Sequence, residues 1–557
     1  MNWRWLAFLF LIGLGVGLLV AASQDAPGYM DADYYYAGGM RLASGQGWSE
    51  PFLWNYLDDP LGLPHPAFTY WMPLASLLAA MGMRLAGSTS FDSAQAIPVL
   101  LAALLPPLTA WLAFSLTQQR WAALLAGLLA LLPGFYLPFQ VTTDTFAVSM
   151  ILGIAWLQLL KTHADVTGFT KILQVALGLG LTAGLMHLAR AEGLVWLGIT
   201  LLAVWCEGRR FARSRLETAE GRRAEGRRAT DGRATVGLRA SLYIVPGMAT
   251  MACLLGYLLV MGGWLARNLA LYGTLLSPAG GKVFWITGYD EIFVYPASIL
   301  TSGRWWSSGL DEILRARLWA LGQNLQTVIA VQGEIFLALL IVPGVWAFRK
   351  DVRVRWGLLA FVVMFLLMTL VFPYPGGRGG LFHSGATLQP LWWALAPAGL
   401  QAWLLWGQKK RGWQVKSARQ VFTAGVVGLA LLVTGLTGYT RLQGADPTSP
   451  AWGSSKVLYQ RLEGELEGEG IPPEAIVMVN NPPGYYSATG RSAIPVPIGG
   501  QAETLAAAQR YKAGYLLLER NHPGGLDSLY QKPADRSGLR YLSTVDGAHL
   551  FEILGER

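Results

Sequence analysis

Apolar runs of bilayer-crossing length recur from about residue 5 to residue 440, and most polar residues fall in the gaps between them. The runs lie near Trp5–Ser23, Ala96–Leu116, Trp121–Phe139, Thr145–Leu160, Ile172–Leu188 and Gly193–Trp205. Others follow near Leu242–Trp264, Leu325–Phe348, Trp356–Phe372, Leu388–Trp406 and Val421–Tyr439. They predict a mainly α, polytopic transmembrane helical bundle over residues 1–440, with about eleven crossings. The small residues Ala21-Ala22-Ser23 would suit a signal-peptide cleavage site. The run before them is longer than a typical signal segment and further spans follow it, so it reads as a retained helix. After about Gly444 the pattern changes. Strand-like Ala475–Val479 and Tyr515–Leu518 alternate with helical Gln501–Tyr511, and Asn480-Asn481-Pro482-Pro483-Gly484 is a turn signal. Residues 445–557 therefore read as a small α/β domain.

Charge decides the direction of threading. Glu207–Arg239 holds ten Arg and five acids, and reads as a disordered basic cytoplasmic loop (207–239). Arg349-Lys350, Arg353, Arg355 and Lys409-Lys410-Arg411 belong on the same side. With the N-terminus cytoplasmic, this works only if one more apolar stretch, Phe68–Leu85, does not cross. That stretch follows Pro64-His65-Pro66 and carries Pro73 and Arg84. The expectation is an integral, multi-pass protein of the plasma (inner) membrane, with its C-terminal domain extracytoplasmic. Composition agrees: 53% of the 557 residues are hydrophobic and 14% charged, against about 25% charged in soluble proteins. The net charge of +9 lies in short loops beside spans, which argues against a nucleic-acid partner. The two cysteines, Cys206 and Cys253, form no metal-binding spacing.

This threading gathers the polar residues of the membrane region on one outer face. The first loop carries Asp31 and Asp33 among Tyr34-Tyr35-Tyr36. In an extended segment the two acids would share a face, and in a helix they would splay. Asp144 lies at the mouth of a span, where it would serve as a helix cap, a catalytic partner, or both. His187, Arg190 and Glu192 share one short turn, where an Arg–Glu surface pair would be worth little. Arg267 follows Trp264, while Arg378 and His383 follow Pro373-Tyr374-Pro375. An arginine at a span end commonly snorkels to headgroups; several on one face with carboxylates point to an anionic ligand. No P-loop, GxGxxG or nucleophile elbow is present.

Taken in order, Asp31-Ala32-Asp33-Tyr34-Tyr35, Leu42-Ala43-Ser44-Gly45, Pro64-His65-Pro66, Thr143-Asp144, Arg190-Ala191-Glu192-Gly193 and Trp264-Leu265-Ala266-Arg267-Asn268 resemble the GT-C superfamily of membrane glycosyltransferases. The likeness is to the protein O-mannosyltransferase and lipid A aminoarabinose transferase branch. It implies a GT-C-like bundle and inverting transfer of a sugar from a polyprenyl-phosphate-linked donor to an acceptor, whether protein, lipid or glycan. The family's first-loop acid maps to Asp31, with Asp33 as the alternative because the chain has Asp-Ala-Asp where the family usually has Asp-Glu. Asp144 maps to the second outer-face acid. Arg267, Arg378 and His383 become candidates for the donor phosphate, and Tyr35, His65, Arg190 and Glu192 for substrate contacts. Some members need a divalent cation; Asp31 and Asp144 would be the pair to hold it, but two acids are too few to claim a metal site. A lipid or glycan transporter is the competing reading. It calls for internal repeats and helices broken at the bilayer midplane, and the sequence shows no repeat between its halves.

Overall fold

The computed structural model describes residues 3–224, 232–445 and 451–554. Helix α1 (Trp3–Ala21) leads to an outer segment with α2 (Met30–Ala43), a two-residue ribbon of β1 (Ser49–Glu50) and β2 (His65–Pro66), and α3 (Leu74–Ala86). The bundle continues with α4 (Phe91–Thr117), α5 (Arg120–Leu131), α6 (Phe146–Asp165), α7 (Phe169–Ala189), α8 (Gly193–Ala224) and α9 (Gly232–Tyr272). Short helices α10 (Pro278–Val283) and α11 (Ser302–Ser307) lie in the long loop before α12 (Leu310–Thr327). Then come α13 (Ala338–Ala347), α14 (Val352–Leu366), α15 (Gly380–Ala386), α16 (Gln389–Arg411) and α17 (Val415–Gln443).

A helix, whole or broken, lies at each of the apolar runs. Among the described residues seven helices are long and apolar enough to cross a membrane. Helix α3, at 13 residues, rises only about 20 Å and is too short for a hydrocarbon core about 30 Å thick. It packs between α2 and α4, which agrees with a stretch that does not cross. One expectation fails. The basic segment 207–239 is not a disordered loop throughout, because α8 runs unbroken to Ala224 and α9 begins at Gly232; residues 225–231 lie outside the described residues. Helix propensity explains this, since Arg, Ala and Glu are good helix formers and can extend a span into water.

Small residues set the closest helix contacts. A side chain on Gly180 of α7 would meet the Cys253 carbonyl of α9 at 1.9 Å, and one on Gly256 would meet the Leu177 carbonyl at 2.2 Å. Gly180 and Gly184 are spaced as in close-packing membrane helix pairs. Gly180→Val is therefore expected to force α7 and α9 apart and cost roughly 1–3 kcal/mol, as overpacking does; the readout is melting temperature in detergent.

The C-terminal domain holds α18 (Ser454–Gly468), β3 (Ile476–Val479), α19 (Pro482–Thr489), β4 (Ala493–Pro495), α20 (Gln501–Tyr511), β5 (Ala513–Leu518), α21 (Asp527–Gln531), β6 (Leu539–Val545) and β7 (Ala548–Ile553). Its sheet has the order β4-β3-β5-β7-β6, parallel from β4 to β5 and antiparallel beyond. The domain is not merely tethered. Leu53 N–H donates to the Ala493 carbonyl (3.0 Å), and Ile498 N–H donates to the Phe293 carbonyl (3.0 Å). Leu53 and Tyr56 of the first outer segment share one apolar core with Met478, Ile494 and Leu516 of the tail. Outer loops and tail thus form one layer over the end of the bundle.

Candidate functional site

Asp31 and Asp33 sit in the first turn of α2, so they point about 200° apart around the helix. Asp31 faces a cavity of about 1030 Å³ between bundle and tail. Asp33 faces the tail instead: it is 6% exposed, and Asn481 Nδ2 donates to its Oδ2 (2.7 Å). Asn481 also caps α19, and a side chain on Gly484 in the first turn of that helix would meet Asp33 at 2.8 Å. A carboxylate at a helix N-terminus is favourably placed. The structure therefore gives Asp33 the task of docking the tail and does not bring it to the cavity.

Asp31 lies at one end of a compact polar group. His383, on α15, stands 3.0 Å from Asp144 Oδ2 and 3.9 Å from Asp31 Oδ2 through Nε2. Its Nδ1 donates to the Gly379 carbonyl (2.7 Å). Both ring nitrogens face acceptors, so the ring is held between the Gly379 carbonyl on one side and the two carboxylates on the other. Tyr29 hydroxyl donates to Asp144 Oδ2, and Thr145 N–H donates to Asp144 Oδ1 (2.5 Å). The two acids are driven apart. Burial raises Asp31 to about 6, against a lowering by His383. Burial also acts to raise Asp144, but His383, Tyr29 and Thr145 outweigh it and hold Asp144 below the usual carboxylate value. One acid is poised to take a proton and its neighbour stays ionised.

The cavity has two kinds of wall. Toward the bundle, Phe135, Phe139, Phe382, Ala330 and Val331 make it apolar; toward the tail, Asn480, Asn521 and His522 close it. Arg378 and Arg441 stand at its edge, Arg378 more than half exposed and 3.7 Å from Asp290. Of the sequence candidates, Asp31, Arg378 and His383 line the cavity, and Asp144 backs it through His383.

The remaining candidates lie elsewhere. Arg267 donates to the Ala67 carbonyl (2.6 Å) and lies 4.6 Å from the Trp264 ring centre; it pins the first outer segment to α9 and does not line the cavity. His65 is buried, with Nε2 on the Phe52 carbonyl (2.9 Å) and the acids Glu50 and Asp58 each 3.7 Å away. It stabilises the β1–β2 ribbon. Tyr35 is fully buried against Trp71 and lies behind Asp31. Arg190 is 7% exposed, pairs with Glu192 at 2.5 Å and stacks over Trp71. The pair is largely buried, with Trp71 lying against Arg190. Its charge reaches Asp31, whose pKa it lowers.

Sequence reasoning missed Tyr29, two residues before Asp31, and missed the tail's contribution of Asn480, Asn521 and His522. Among the described residues no three His, Cys, Asp or Glu side chains are arranged to share a metal ion, and no step is assigned to one.

No family model matches the chain, and no curated protein is similar to it in sequence. Solved structures are. ArnT from Cupriavidus metallidurans bound to undecaprenyl phosphate superposes with a TM-score of 0.55 at 11% identity, covering 100% of both chains. The archaeal oligosaccharyltransferase AglB from Archaeoglobus fulgidus, in complex with an inhibitory peptide and a dolichol-phosphate, gives 0.52 at 11% identity over 92% of this chain and 69% of that one. The Archaeoglobus fulgidus oligosaccharyltransferase in complex with Zn and sulfate gives 0.51 at 12% identity, over 92% and 67%. The chain shares the fold of these proteins.

Proposed function

We propose that this protein is a GT-C-type glycosyltransferase that moves a sugar from a polyprenyl-phosphate-linked donor to an acceptor at the outer face of the membrane. The observation that carries the reading is the Asp31–His383–Asp144 group on a cavity with one apolar and one polar wall. The structural neighbours that hold undecaprenyl phosphate and dolichol-phosphate share this fold. Asp31 takes the proton of the acceptor's attacking group, which forms its bond to the anomeric carbon as the bond to the phosphate oxygen breaks. The electron pair leaves on the lipid phosphate, and Arg378 and Arg441 hold that anion at the cavity's edge. His383 and Asp144 orient Asp31. The apolar wall takes the first isoprene units of the donor. In this reading the N-terminus is cytoplasmic and the tail extracytoplasmic.

The polar tail wall and the buried acid favour transfer over transport. The test is release of free polyprenyl phosphate by purified protein supplied with polyprenyl-phosphate sugars. Release that depends on Asp31 supports transfer; movement of intact donor across proteoliposomes without release overturns it.

The pH dependence follows from Asp31. The base form is needed, so kcat/KM should rise with pH along a one-proton limb centred near 6, the value burial gives Asp31. His383 lowers that value, so in His383→Gln the limb should move to higher pH. A limb unmoved by His383→Gln counts against the assignment.

A further inference from the structure

The run Leu325–Phe348 is not a continuous helix. After α12 it passes through a π-helical turn, Val328–Gln332, and an irregular turn at 333–337 before α13. Glu334 and Ile335 in this turn have φ of +42° and +62°, a conformation non-glycine residues rarely hold. At this strained point sits a carboxylate with no exposure at all. Trp393 Nε1 donates to Glu334 Oε1 (2.7 Å), while Oε2 has no partner. One turn before Trp393, Gln389 Nε2 donates to the Gln332 carbonyl (3.1 Å). The side-chain oxygens of Gln332 and Gln389 are likewise buried without partners, at 2% and 0% exposure.

Three unpaired acceptors on adjoining turns, one of them a carboxyl oxygen, are far from the usual condition of a buried polar group. We propose that the break in this helix is a binding site for a monovalent metal cation of the sodium class, held by Glu334 with the side-chain oxygens of Gln332 and Gln389. The charge count selects the class: one carboxylate and two neutral amides balance a single positive charge. Magnesium demands an octahedral shell that keeps several waters. The site is separate from the Asp31 group, but it is tied to it. Gln332 Nε2 donates to the Leu381 carbonyl (3.5 Å) and Tyr136 hydroxyl to the Phe382 carbonyl (3.0 Å), so the same cluster braces α15, which carries His383.

The experiment is thermal melting of the purified full chain at constant ionic strength, titrating sodium, potassium or lithium against N-methylglucamine. The expected result is a saturable rise of several degrees for one of these ions, absent in Glu334→Gln. Gln389→Leu, which keeps the charge, should raise the half-saturating concentration about tenfold and keeps the test open if Glu334→Gln does not fold. No ion-specific rise in the wild type, or an equal rise in both variants, would mean that the three oxygens hold water only, and overturns the proposal.

Discussion

Asp31→Asn is expected to lower turnover by about 10²–10⁴-fold, the usual worth of a positioned general base, while the protein folds and melts as the wild type does. The substitution is nearly isosteric and removes a charge held in a buried setting, so stability should change little. Asp33→Asn is the control. It lies two residues away on the same helix and is more buried, but its partner is Asn481 of the tail. An asparagine there keeps an acceptor for that contact, and turnover should stay near the wild-type value. If both variants retain full activity, Asp31 is not the base and the reaction centre lies elsewhere. If Asp33→Asn is the inactive one, the side cavity against Ser455 and Lys456, which Asp33 lines, takes precedence over the larger one.

The two aspartates also show how far sequence reasoning reaches. Nothing in Asp31-Ala32-Asp33 says whether the segment is helical; the choice is made by α2 packing on α3 and α4, contacts distant in sequence. Once the helix is given, the 100° step per residue separates the roles. Bundle and tail were legible because hydrophobic period and charge are local signals. His383 beside Asp144 was not, since 239 residues separate them and no spacing encodes the contact. Nor was the burial of Arg190, which depends on Trp71, more than a hundred residues earlier, packing against a turn that in sequence looks like surface. Glu334 did leave a signal, a lone acid inside an apolar run, and a rule that treats every such acid as a site would have found it.

Arg353 carries the second large effect. Its sequence context, among Arg349, Lys350 and Arg355, reads as one more cation on the cytoplasmic side. The structure buries it to 1% exposure. Its Nε and Nη2 donate in parallel to Asp351 (2.9 and 2.8 Å), and Nη1 reaches Ser115 Oγ on α4 (2.6 Å) and Gln158 Oε1 on α6 (3.1 Å). One guanidinium thus ties three helices at one end of the bundle. Arg353→Ala leaves Asp351 without its partner and takes a donor away from Ser115 and Gln158, and breaking a buried pair in this way costs about 3–5 kcal/mol. Arg353→Lys should recover only part of the loss, since an ammonium cannot make the parallel pair of bonds. The pH dependence separates this account from a simple packing defect. Burial acts to raise Asp351, but its bonds from Arg353 outweigh that and hold it below the usual aspartate value. A depressed carboxylate stabilises the folded state above its unfolded pKa and loses that stabilisation as pH falls through the folded one. Wild-type melting temperature should therefore fall more steeply on acidification than that of Arg353→Ala, and parallel curves would show that the ion pair is not what holds the three helices.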